Sequence, residues 1–77
     1  MSKRVLIVDD EESIRSSLER LLSYEKFKTF AAADGAAALD LAASERIDVV
    51  LLDIKMPGMD GLEVLGKLKE LHPGLPV

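Results

Sequence analysis

The hydrophobic pattern changes period several times along this chain. Val5-Leu6-Ile7-Val8 is a continuous apolar run, and Val49-Val50-Leu51-Leu52 is a second one. Unbroken runs of this length suit strands buried on both faces of a parallel sheet, and they predict strands at 5–8 and 47–52. Residues 28–32, Lys-Thr-Phe-Ala-Ala, form a shorter and weaker strand signal. Helical spacing fills the intervals. Over 13–24, Ile14, Leu18, Leu21 and Leu22 fall on one face, with Arg15, Ser16, Glu19 and Arg20 on the other. A second helix, over about 36–44, is mostly alanine with Leu39 and Leu41, which favours helix and lets it approach a sheet closely. Asp34-Gly35 before it is a turn signal, with Asp34 as the cap. A third helix carries Leu62, Leu65, Leu68 and Leu71 inward, and Lys67, Lys69 and Glu70 outward. Asp60 and Glu63 have capping-box spacing at its start. His72-Pro73-Gly74 ends it, with His72 as a carboxyl-terminal cap. Leu75-Pro76-Val77 reads as the beginning of a fourth strand.

The order β-α-β-α-β-α with short loops implies an α/β fold, a parallel sheet joined by right-handed crossovers. Residues 1–77 make one small domain. At this length folding buries only about 60–65% of the extended chain's surface, so stability is marginal. Only 4% of the residues are aromatic, so Leu, Val, Ile and Ala must build the core. There is no cysteine, which excludes disulfides and thiolate metal sites. A net charge of −4 argues against a nucleic-acid surface on this segment. No apolar run approaches the roughly 20 residues needed to span a bilayer, and the amino-terminal run is too short for a signal peptide. The expected location is cytoplasmic.

The charge that changes the picture is local. Both strong strands end in carboxylates: Asp9, Asp10, Glu11 and Glu12 after the first, and Asp53 after the second. Open α/β sheets place ligands at the carboxyl ends of their strands. If the two strands are neighbours, Asp9, Asp10 and Asp53 converge. At 4 Å each like-charge pair costs about 4 kcal/mol at an effective dielectric near 20. A divalent cation removes that repulsion, and hard oxygen ligands without sulfur suit Mg²⁺. Such a centre can hold a phosphate ester, or it can attack a phosphoryl group and form an acyl phosphate. Each signal also has a plainer reading. One Asp at a strand end caps a turn, and Asp9-Asp10 can complement a helix dipole. Joint occurrence is what favours a site. Met56 and Met59 read as loop packing. The Lys55 side chain reads as solvent-facing, with its carbonyl directed at the acids.

Leu6-Ile7-Val8-Asp9-Asp10-Glu11 and Leu51-Leu52-Asp53-Ile54-Lys55-Met56-Pro57-Gly58-Met59-Asp60-Gly61 resemble the two signature segments of response-regulator receiver domains of bacterial two-component signalling. The resemblance covers the whole chain in order, and about the first two thirds of a receiver. It implies a flavodoxin-like (CheY-like) doubly wound parallel sheet, of which this is the amino-terminal part. It implies that Asp53 is the phospho-acceptor, phosphorylated by a sensor histidine kinase, and that the module is not itself an enzyme. It implies Mg²⁺ held directly by Asp10, Asp53 and the Lys55 carbonyl, with Asp9 acting through water. Residues 71–77 further resemble the NtrC-like class. A full receiver continues with segments that carry a Ser/Thr, a switch aromatic and a Lys at the phosphoryl group. The cationic half of the site is therefore expected to be missing here, with impaired phosphorylation and switching. The strand ending at Leu52 would become an apolar edge, and self-association through it, most simply as a homodimer, is expected. The rival reading is a structural half-domain that self-associates without signalling. A haloacid-dehalogenase-like phosphohydrolase fits poorly, because those enzymes need a second Asp where Lys55 stands.

Overall fold

The computed structural model describes residues 3–53 and 61–74. Its elements run β1 (Arg4–Val8), α1 (Glu12–Tyr24), β2 (Lys28–Ala32), α2 (Gly35–Ser44), β3 (Val49–Leu52) and α3 (Gly61–Leu71). The sheet is parallel throughout and ordered β2-β1-β3. This is the alternating α/β arrangement with a parallel sheet expected from the sequence. Asp60, Met56, Met59, Lys55 and the strand expected at 75–77 lie outside the described residues.

Alternation along β1 sorts its side chains between two faces. Leu6 and Val8 join Ala38 and Ala42 of α2 and Val64 and Leu68 of α3 in one core, together with Ala32 and Val50. Val5 and Ile7 are equally buried on the opposite face, against which α1 packs. β1 is thus covered on both faces, as its unbroken apolar run requires. β3 behaves differently. Val50 is buried, whereas Leu51 is 40% exposed, because no described strand lies beyond β3. Leu51 is paired in register with Ile7, so it shares the α1 face.

Two helical faces depart from expectation. No α1 residue is fully buried; Leu18 and Leu22 are half-buried, and Ile14 and Leu21 are exposed. On α3 the buried positions are Gly61, Val64 and Leu68, while Leu62 is 60% and Leu71 48% exposed. The expected inward row therefore holds at Leu68 and in part at Leu65, and fails at Leu62 and Leu71. Nine residues at about 100° each make two and a half turns, which puts Leu62 and Leu71 on opposite sides. Spacing of three and then four keeps Gly61, Val64 and Leu68 on one face.

The helix ends explain the connections. Asp34 accepts a 2.8 Å hydrogen bond from the Ala37 N–H and caps α2, as expected. α1 ends in a Schellman motif: Lys26 N–H donates to Ser23 O and Phe27 N–H to Leu22 O. Lys26 takes the left-handed position, at φ 69°, where glycine is usual. His72 caps a different helix from the one expected. Its Nε2–H donates to Ala42 O, 2.8 Å away in the last turn of α2, so the end of α3 is pinned to the end of α2. At the amino-terminal end of the sheet, Arg4 ties β1 to the chain before β3. Its guanidinium bonds Arg46 O and Glu45, and its N–H bonds Asp48.

Candidate metal centre

The strand register builds the site. Val8 is paired with Ala32 on one side and Leu52 on the other, so β1 and β3 run out together. Asp9 N–H donates to Ala32 O at 3.1 Å, and Asp53 N–H to Val8 O at 2.9 Å. These two bonds carry the ladder one residue past each strand and place the first acid of each side by side. Asp10 follows in the bend that leads into α1.

Asp9, Asp10 and Asp53 each offer a carboxylate oxygen, and these oxygens all lie within 4.8 Å of one another. The convergence expected from the two strand ends is therefore present. Burial differs among the three. Asp9 is buried, Asp53 half-buried and Asp10 exposed. The gradient leaves the centre open to solvent on the Asp10 side, where an ion or a phosphoryl group can enter.

Asp9 is the most restrained of the three. Its Oδ1 accepts from the Glu11 N–H at 2.9 Å, and its main-chain oxygen accepts from Arg15 Nη1 at 2.8 Å. Asp9 therefore uses part of its hydrogen-bonding capacity to shape the loop. At separations of 4.8 Å or less, each like-charge pair costs at least about 3.5 kcal/mol at an effective dielectric near 20, less where Asp10 is screened by water. An all-oxygen, trianionic set of this kind fits a hard divalent cation such as Mg²⁺.

Arg15 was not singled out by the sequence reading, which set it on the solvent face of α1. It is half-buried and folds back over the amino end of its own helix. A signal was available: a cation in the first turns of a helix opposes the dipole, so it needs another reason to be there.

The family model described as the response regulator receiver domain matches residues 5–77. Sporulation initiation phosphotransferase F of Bacillus subtilis (strain 168) is 46% identical over all 77 residues. The chain spans 62% of that relative's length. Among solved structures, a CheY-like response regulator receiver domain protein from Methanospirillum hungatei JF-1 is 37% identical with a TM-score of 0.94, covering 97% of this chain and 60% of that one. TrrA from Thermotoga maritima, in complex with Mg²⁺-BeF, is 42% identical with a TM-score of 0.86, covering 92% and 62%. TrrA in complex with the histidine kinase ThkA is 41% identical with a TM-score of 0.87, covering 95% and 63%.

Proposed function

Because this chain belongs to the response regulator receiver domain family, we propose that it carries the phospho-acceptor of a two-component pathway, with Asp53 as the acceptor. The observation that carries this reading is the gathering of Asp9, Asp10 and Asp53 at the carboxyl ends of adjacent parallel strands. A carboxylate oxygen of Asp53 attacks phosphorus, the P–N bond of a kinase phosphohistidine breaks, and the imidazole leaves. The product is an acyl phosphate on Asp53. By the family resemblance, Asp10, Asp53 and the main-chain carbonyl of Lys55, which lies outside the described residues, would hold Mg²⁺, and Asp9 would act through a water molecule. When bound, the ion neutralises charge on the transferring oxygens. Asp9 shapes the loop, and the protein accepts one phosphoryl group rather than turning over substrate. Its donor is a sensor histidine kinase, in keeping with the kinase complex of TrrA. The cytoplasm is the matching location, and among the described residues no helix is long and apolar enough to cross a membrane.

The test is intact mass spectrometry after incubation with a small acyl-phosphate donor and Mg²⁺. The protein is expected to gain one phosphoryl group, lost with Asp53→Asn and with a chelator. A gain that survives Asp53→Asn defeats the assignment.

A second reading is self-association, supported by the edge of β3, beyond which no described strand lies, and the exposed Ile14, Leu21 and Leu51. Parallel pairing leaves alternate backbone groups of an edge strand unbonded, and those groups template another strand. Light scattering at micromolar concentration is expected to show the 77-residue chain as a dimer or larger. Leu51→Lys is expected to shift it toward monomer, and a monomeric parent chain removes this reading.

A further inference from the structure

We infer that Arg15 is a positioning residue for the carboxylate centre, holding the Asp9–Asp10 peptide so that Asp10 is aimed at the same point as Asp53. The inference rests on the reading of that centre as a Mg²⁺ site.

Asp9 is fixed at three atoms. Its N–H donates to Ala32 O of β2, its Oδ1 accepts from Glu11 N–H, and its carbonyl oxygen accepts from Arg15 Nη1 at 2.8 Å. The third contact matters for Asp10. A peptide unit is planar, so the Asp9 carbonyl and the Asp10 N–H turn together. Fixing the Asp9 oxygen therefore fixes the plane from which Asp10 departs. Asp10 is the exposed member of the trio, and its side chain has least packing of its own to orient it. Its carboxylate nonetheless lies within 4.8 Å of the other two.

Arg15 itself has a rigid mount. Its main-chain N–H donates to Glu11 O at 3.1 Å, so it belongs to the hydrogen-bonded part of α1. The guanidinium spans six residues back to the strand end and closes the loop between β1 and α1. Among the described residues its partner is a main-chain carbonyl, with no carboxylate within ion-pair distance. Arg15 acts on the loop through a main-chain oxygen rather than by pairing with a carboxylate of the centre. Outer groups that orient metal ligands in this way typically govern affinity by about 10- to 100-fold.

The electrostatic alternative predicts the opposite sign. Arg15 adds a positive charge near a cation site, so if it acted only through charge, its removal would tighten Mg²⁺ binding. The experiment is a Mg²⁺ titration of Arg15→Gln, followed by backbone amide NMR, with Arg20→Gln as the equal-charge control on the exposed side of α1. Positioning predicts about 10-fold weaker binding in Arg15→Gln, partial recovery in Arg15→Lys, and a change under about 2-fold in Arg20→Gln. Equal or tighter binding in Arg15→Gln overturns the inference. A second readout needs no metal: the order parameter of the Asp10 amide should fall in metal-free Arg15→Gln. If the parent protein itself ignores Mg²⁺, the metal reading fails, and the Asp10 amide alone decides on Arg15. An unchanged amide then overturns the positioning role as well. α1 has no buried side chain, so these substitutions leave the core intact.

Discussion

The two faces of the sheet are built on different terms. On one, α2 and α3 close over Leu6, Val8 and Val50, and Ala38, Ala42, Val64 and Leu68 are removed from water. On the other, α1 covers Val5 and Ile7 but keeps no residue of its own fully buried, and Ile14, Leu21 and Leu51 remain exposed. The α1 face nevertheless carries the chemistry, because the loop entering α1 holds Asp9, Asp10 and the Arg15 contact. One face buries residues of both sheet and helices, and the other buries Val5 and Ile7 of the sheet while presenting the acids and exposed apolar side chains. In a domain of this size that division places most of the folding free energy on a single face.

The sharpest way to break this contrast is to shorten one leucine on each side. Leu68 is 0% exposed and Leu21 is 58% exposed. Leu68→Ala removes buried methylenes and leaves a cavity, so it should cost about 3 kcal/mol in urea unfolding. A chain of this length has a total of only about 4–12 kcal/mol, so the loss should be visible as a large fall in midpoint. Leu21→Ala should cost under about 0.5 kcal/mol. Comparable losses at both positions would mean that the α1 face is covered in solution, and would favour self-association through it.

The same contrast separates what was legible in the sequence from what was not. β1 is covered on both faces, and its four-residue apolar run announced that. β3 has the same kind of run but lies at the edge, so composition alone describes the environment it is suited to and not the one it has. The acid pair at 9–10 and the acid at 53 were legible because strand ends deliver side chains to known places. Arg15 and His72 were not, since each acts on a carbonyl that belongs to another part of the chain. A main-chain oxygen has no letter in the sequence, so spacing gives no hint of Asp9 O or Ala42 O as a partner. The row of leucines at 62, 65, 68 and 71 misled because repeated steps of three drift round a helix of 3.6 residues per turn. The end of α1 at Tyr24 agrees with the expected span, but its left-handed cap was hidden for a related reason: lysine rarely takes the position that Lys26 occupies.

A smaller test of the two-face division uses the helix starts. α2, on the dry face, begins at Asp34, whose carboxylate accepts from the Ala37 N–H. α1 begins at Glu11, which has extended backbone angles but makes no side-chain cap. Asp34→Ala leaves one of the first N–H groups of α2 without its partner and should cost about 1 kcal/mol. Glu11→Ala removes no such bond and should cost only a few tenths, through the loss of a negative charge near the helix amino end. Thermal unfolding at low and at 1 M salt separates the two causes. The Asp34 effect should persist in salt, because it is a short hydrogen bond, whereas the Glu11 effect should fade as the dipole interaction is screened. A Glu11 cost as large and as salt-resistant as that of Asp34 would show that α1 is anchored at its start as firmly as α2, and the distinction between the two faces would then rest on side-chain burial alone.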